Sequence, residues 1–195
     1  VNDSFSSLAR RVRVAIGQDY RYAHSVRVAR LADRLAAAHG EDTRRARTAG
    51  MLHDLARLYS AERLLRECEA RGLAIDAFER DTPIVLHARL GAELAREEFG
   101  ITDDAVLSAI AKHTVGAAGM SRLDAIVYLA DGLEPGRDFP QRAGLEELAF
   151  RSLEDAMVAV IRSSLAYLKM RNLAVAPQTL AALAYYESLV TTAVS

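Results

Sequence analysis

The chain has 195 residues, 51% of them hydrophobic, and a formal net charge of −1; a chain of this size buries roughly 70% of its unfolded surface in one core, and the near-neutral balance argues against a disordered tail and a basic nucleic-acid-binding face. Its one cysteine excludes an internal disulfide and a Cys-rich zinc site and suits a reducing, cytoplasmic setting. No run of about 18 apolar residues marks a membrane span, and "VNDSFSSLARRVRVAIG" has no apolar h-region.

Apolar spacings of three and four recur along the chain, and no segment of five or more residues alternates cleanly with β-branched enrichment, so the predicted fold class is all-α. In chain order the spacing predicts helices near 5–15, 20–39, 43–57, 61–71, 83–99, 103–113, 121–133, 145–171 (with room for an interruption) and 177–192. Ser60, Thr82 followed by Pro83, Asp103 and Ser121 stand as N-caps, and Gly40, Gly72 and Gly100 stand where helices stop. Cys68 in "LLRECEARG" reads as a packed helix cysteine. Val1 in place of Met fits a trimmed chain or an alternative start codon read literally. No repeat, low-complexity tract or long linker divides the chain. The longest breaker-rich stretch, "EPGRDFPQRAG", therefore reads as a functional loop inside a single domain over 1–195, with a core at about 20–135 and C-terminal helices at 145–192 packing on it.

Four of the five histidines fall where an apolar residue is expected. His24 shares a face with Val28, Leu31 and Leu35; His53 lies between Leu52 and Leu55; His87 shares a face with Leu90 and Leu94; His113 follows Ala109 and Ile110. His39 ends a helix before Gly40, where a histidine favours the dipole and the last carbonyls, and it receives no functional role. Asp54 directly follows His53 in "AGMLHDLARL", and Asp131 closes the apolar helix of "AIVYLADGLEPG". One interior histidine is usually a satisfied core residue. Four on separate helices, with two carboxylates that are costly to bury alone, are better satisfied by a shared cation, because imidazole nitrogen and carboxylate oxygen are the mixed donor set of zinc, iron or manganese. Consecutive His53 and Asp54 can then splay around one ion.

The order His24, twenty-eight intervening residues, His53-Asp54, His87, His113 and Asp131 resembles the HD-domain metal-dependent phosphohydrolases. "RYAH", "AGMLHDLAR", "LHARLGAELAREEFGI", "AKHTVGAAGMSRLDAIVYLADGLEPGRDFP" and "VAPQT" look like one bacterial branch, the YqeK group of symmetrical diadenosine tetraphosphatases, over roughly residues 20–180. The resemblance implies a single-domain helical HD bundle in which His24, His53, Asp54 and Asp131 hold a divalent metal, with iron usual in the group and manganese or another transition metal compatible. His87 and His113 would face the substrate phosphates or hold a second ion. It further implies a dinucleoside polyphosphate substrate, an ADP product and "VAPQT" lining a nucleoside pocket; the charge balance and the lack of a long apolar run point to no nucleic acid or membrane partner, and a homodimer is compatible. Arg57 stands where the group usually carries lysine, and Val115 where a second threonine is usual. Arginine keeps the charge but does not act as a proton donor.

Phosphoanhydride hydrolysis needs activated water, neutralised charge on the attacked phosphorus and an anionic leaving group. Arg137 in the loop after Asp131, Arg21 one turn before His24, Arg57 and Thr114 are the expected phosphate contacts. Guanosine tetraphosphate hydrolysis would need an acidic pair where "LARLY" stands, and cyclic dinucleotide cleavage a Gly-Tyr-Pro element that is absent. A general nucleotide or deoxynucleotide phosphatase would use the same ligands with a looser pocket. A non-catalytic helical binding module has no reason to keep the full set.

Overall fold

The computed structural model describes residues 5–192, which are helical with no strand among them; Val1 lies outside the described residues. The elements are α1 (Phe5–Ile16), α2 (Asp19–His39), α3 (Thr43–Leu52), α4 (Ala61–Ala70), α5 (Ala77–Asp81), a 3₁₀ turn (Pro83–Val85), α6 (Leu86–Phe99), α7 (Asp104–Lys112), α8 (Arg122–Leu133), α9 (Arg142–Arg151), α10 (Leu153–Met170) and α11 (Pro177–Thr192). No helix of the described residues is long and apolar enough to cross a membrane.

Local chemistry sets these boundaries. Asp42, Ser60, Asp103, Ser121 and Ser152 each accept a hydrogen bond from a backbone N–H in the first turn of the helix they open, satisfying donors the helix cannot. Gly40 and Gly100 close α2 and α6 in the left-handed region, with φ of 71° and 69°, where a Cβ would be strained. Thr82 departs from its expected role. It precedes only the 3₁₀ turn and makes no side-chain cap.

Three other boundaries differ from the periodicity. The helix expected over 43–57 stops at Leu52, and residues 53–58 form successive tight turns, with Leu55 N–H to Leu52 O at 3.2 Å and Arg57 N–H to Asp54 O at 3.0 Å. The segment expected over 145–171 breaks at Ser152, whose extended φ and ψ of −149° and 120° separate α9 from α10. The short α5 is held by a capping box between Asp76 and Glu79, a signal that five residues of periodicity cannot carry.

Packing places α2 at the centre. It lies along α3 and against α8, while α7 bridges α3, α6 and α8, and α9 and α10 pack on α8. Leu31, Leu35, Met51, Leu52, Leu90 and Ile126 are fully buried between them. Cys68 is buried in α4, as expected. His39 bonds neither of the last α2 carbonyls; its Nε2 meets the Ala149 carbonyl of α9 at 2.7 Å.

Candidate metal centre

His24 (second turn of α2), His53 and Asp54 (just past α3), His87 (first turn of α6), His113 (just past α7) and Asp131 (last turn of α8) converge on one point. The four histidines and Asp54 are buried, none more than 4% exposed. His24 Nε2 lies 3.2 Å from His53 Nε2, and His87 Nε2 lies 3.2 Å from His113 Nε2. Asp131 Oδ1 is 3.1 Å from His24 Nε2 and 3.8 Å from His53 Nε2. Asp54 divides its oxygens: Oδ2 is 3.6 Å from both His24 and His53 Nε2, and Oδ1 is 3.4 Å from His87 Nε2 and 4.0 Å from that of His113. His53 and Asp54 thus meet the cluster from a turn beyond the helix end rather than from a helix face.

The other ring nitrogens fix the tautomers. Nδ1 of His53, His87 and His113 faces the carbonyls of Gly50, Ile84 and Ile110 at 2.7, 2.5 and 2.7 Å. A carbonyl only accepts, so each Nδ1 donates and each Nε2 keeps its lone pair toward the centre. His24 Nδ1 faces Glu134 Oε1 at 3.1 Å. Two bare nitrogens 3.2 Å apart repel unless a cation or a proton lies between them, and imidazole with carboxylate is the donor set that transition metals take. His24, His53 and Asp131 form one group able to hold an ion, and His53, Asp54 and His113 another.

The electrostatics agree with this reading. Burial, then the neighbouring charges of His53 and His87, pushes His113 down to about 3, and burial also lowers His53 against the pull of Asp54 and Asp131. Both rings are neutral at neutral pH. Burial lowers His24 too, but Asp131, Glu134 and Asp54 outweigh it and raise its pKa. Burial would raise both aspartates; the surrounding histidines, joined at Asp131 by Arg137, hold them well below the ordinary carboxylate range.

Three arginines flank the cluster. Arg137 bonds Asp131 Oδ1 at 2.6 Å and the Asp131 carbonyl at 3.0 Å, and Arg21 Nη1 lies 3.3 Å from Asp54 Oδ2. Arg57 is half-buried and its side chain makes no hydrogen bond or ion pair among the described residues, although Arg21, Asp54 and Asp131 all act on its charge. Thr114 Oγ1 sits 3.0 Å from His113 Nε2 and 3.2 Å from His87 Nε2. Of "VAPQT", Gln178 donates to Asp76 at 3.0 Å and Thr179 to the Val115 carbonyl at 2.8 Å. Gln178 and Val115 line a cleft of about 520 Å³ with Asp76, Arg89 and Lys112. Glu134 and Arg27 escaped the sequence reading. Both lie three residues beyond a site residue, on the face of Asp131 and of His24 respectively, which is the signal that could have found them.

The HD domain profile matches residues 21–136. The chain is 32% identical to a symmetrical bis(5'-nucleosyl)-tetraphosphatase of Bacillus subtilis, over 83% of this chain and 86% of that one, and 35% identical to a protein of the same name from Halalkalibacterium halodurans, over 84% and 87%. A crystal structure from Clostridium acetobutylicum, described as a predicted HD superfamily hydrolase involved in NAD metabolism, superposes with a TM-score of 0.90 at 32% identity, over 95% of this chain and 97% of that one. Domains of this family are metal-dependent, and the present donor set fits a metal. With the fold, the convergent histidines and aspartates and these relatives in agreement, the chain belongs to the HD domain family, in the branch of the symmetrical bis(5'-nucleosyl)-tetraphosphatases.

Proposed function

We propose that this chain is a metal-dependent phosphohydrolase that cuts diadenosine tetraphosphate and related dinucleoside polyphosphates symmetrically into two nucleoside diphosphates. The observation that carries the reading is Asp54, whose two oxygens divide between the His24–His53 pair and the His87–His113 pair; the names of the relatives supply the substrate class. In this reading His24, His53, Asp54 and Asp131 hold the ion, and His87 and His113 hold a second or face the phosphates. Iron is favoured, and manganese or another transition metal suits the same donors. The chemistry such an ion supplies is Lewis acidity toward a phosphoryl oxygen and activation of water at neutral pH.

The chain's own residues bind and orient. Arg137 and Arg21, now on Asp131 and Asp54, present forked donors to phosphate oxygens. Arg57 adds charge without donating a proton. The Thr114 hydroxyl donates to a phosphate oxygen, and "VAPQT" lines the nucleoside pocket. Gripping one nucleoside diphosphate half brings the central phosphoanhydride to the histidine cluster; water forms the new P–O bond and gives up a proton to solvent, the bridging P–O bond breaks, and the second diphosphate leaves with the bond's electron pair. The one cysteine, buried in α4, supports a reducing cytoplasmic setting.

Incubating manganese- or iron-loaded protein with diadenosine tetraphosphate and separating the products by ion exchange tests this. Two ADP per substrate is the expected result, with single nucleoside triphosphates poorer because they lack the second half. Equal ATP and AMP, or rapid dephosphorylation of simple nucleotides without this cleavage, overturns the symmetrical reading.

A further inference from the structure

His24 differs from its three companions in what holds its second nitrogen. His53 and His113 sit one residue past α3 and α7, so Gly50 and Ile110 are among the last carbonyls of their helices, which have no helical partner, and each ring caps one of them. His87 finds the Ile84 carbonyl in the 3₁₀ turn that precedes α6. His24 stands in the interior of α2, where the neighbouring carbonyls are already engaged by the helix. Its Nδ1 must be satisfied from another element, and the group that reaches it is Glu134, the first residue past α8.

Glu134 is itself held on every side. It is 2% exposed. Its Oε2 accepts from Arg27 Nε and from the Gly136 N–H, each at 2.5 Å, and its Oε1 accepts from Arg27 Nη2 at 3.2 Å. Arg27 lies one turn beyond His24 on α2, so the carboxylate is clamped between two positions of one helix. A Cβ at Gly136 would collide with the Arg27 guanidinium. Arg142 Nη1 bonds the Leu133 carbonyl at 2.9 Å and fixes the end of α8 from which Glu134 projects.

We propose that Glu134 is a positioning residue: locked by Arg27 and the Gly136 N–H, it holds His24 with the proton on Nδ1 and the lone pair of Nε2 aimed at the metal centre. This rests on the reading of His24 as a ligand, and Glu134 touches no reacting atom. The isosteric variant Glu134→Gln separates positioning from packing. Its single amide oxygen is claimed by Arg27 and Gly136, which turns the NH₂ toward His24 Nδ1 and favours the opposite tautomer.

The test pairs ¹⁵N NMR of the His24 ring in metal-free protein at alkaline pH, where the ring is neutral, with Zn²⁺ affinity from chelator competition, for the parent, Glu134→Gln, Glu134→Ala and Arg27→Ala. The expected parent spectrum shows a protonated Nδ1 and a bare Nε2. Both Glu134 variants should populate the other tautomer and weaken Zn²⁺ binding about 10- to 100-fold, the range for an outer partner of a ligating histidine. Arg27→Ala, at a partly exposed position, should lie between and serves if the Glu134 variants fail to fold. A parent tautomer and parent affinity in Glu134→Gln would overturn the proposal. If the parent binds no Zn²⁺, the metal reading fails and the tautomer still decides the role of Glu134.

Discussion

Arg137 occupies Asp131: its Nη2 lies 2.6 Å from the Oδ1 that also faces His24 Nε2 at 3.1 Å. An arginine 42% exposed at its side chain, resting on a carboxylate that points into a histidine cluster, can turn to an incoming phosphate at small cost. Arg137→Ala should lower kcat/KM roughly 10- to 150-fold, mainly through KM, since a hydrogen bond to a charged group contributes about 1.5–3 kcal/mol. Bound metal should not change. Steady-state kinetics with elemental analysis on one preparation check both halves, and parental kinetics would remove Arg137 from the phosphate contacts.

Asp54 is the carboxylate that both histidine pairs share. Asp54→Ala should empty the centre of metal and lower hydrolysis by more than the roughly 10- to 100-fold that loss of an outer partner costs. The helical content by circular dichroism should persist, because the core of α2, α3 and α8 is built from apolar residues. Full occupancy in purified Asp54→Ala would show that the carboxylate is not a ligand.

The sequence made the helices legible wherever burial imposed a period of 3.6, and where Ser, Asp or Gly punctuated the ends. It hid the turn at 53–58, because Leu55 and Ala56 remain buried beyond the helix end and no glycine or proline marks the change. Ser152 shows the reverse. It caps Asp155 N–H at 3.2 Å, a Ser-x-x-Asp signal that was present but lay inside an unbroken apolar pattern. At the centre, the four histidines and Asp131 stood out because each interrupts an apolar pattern, and Asp54 because it directly follows His53. Glu134 and Arg27 did not stand out, because a charged residue beside Pro-Gly or on a half-exposed helix face looks like ordinary surface until the fold buries it.

Acid should destabilise the metal-free protein before its carboxylates titrate. His113 has a folded pKa of about 3 and His53 is also lowered, whereas both titrate near 6.5 when unfolded. Between those values the unfolded chain binds protons that the folded chain does not, so stability falls as pH falls. His24, raised in the fold, acts in the opposite window: its contribution is present below 6.5 and lost as pH rises through its folded pKa. From pH 6.5 to about 4.5 His113 contributes a slope approaching 1.4 kcal/mol per pH unit, and His53 adds to it in the same direction. Urea unfolding at several pH values should give a clearly shallower slope for His113→Gln. Equal slopes would mean that His113 takes up its proton in the folded state.

The spacing between His24 and His53 rests on the contact of α2 with α3, and Gly50 lies at a close approach within it. A Cβ there would stand 2.9 Å from Ala29 Cα and 3.1 Å from Ala29 N, backbone atoms that cannot swing aside. Gly50→Ala must therefore push the helices apart. The strain of such overpacking, about 1–3 kcal/mol, exceeds the helix-propensity gain of up to about 1 kcal/mol. The displacement reaches the metal centre directly, since the Gly50 carbonyl receives His53 Nδ1 and His24 lies one turn before Val28 and Ala29. Both stability and Zn²⁺ affinity should fall together. Gly144→Ala in α9 is the matched control: nothing lies within 4 Å of its added Cβ, so it should be neutral or slightly stabilising with unchanged affinity. Urea titration and chelator competition on the two variants decide the matter. If Gly50→Ala keeps parental stability and affinity, the close approach of α2 and α3 does not set the distance between the two histidines.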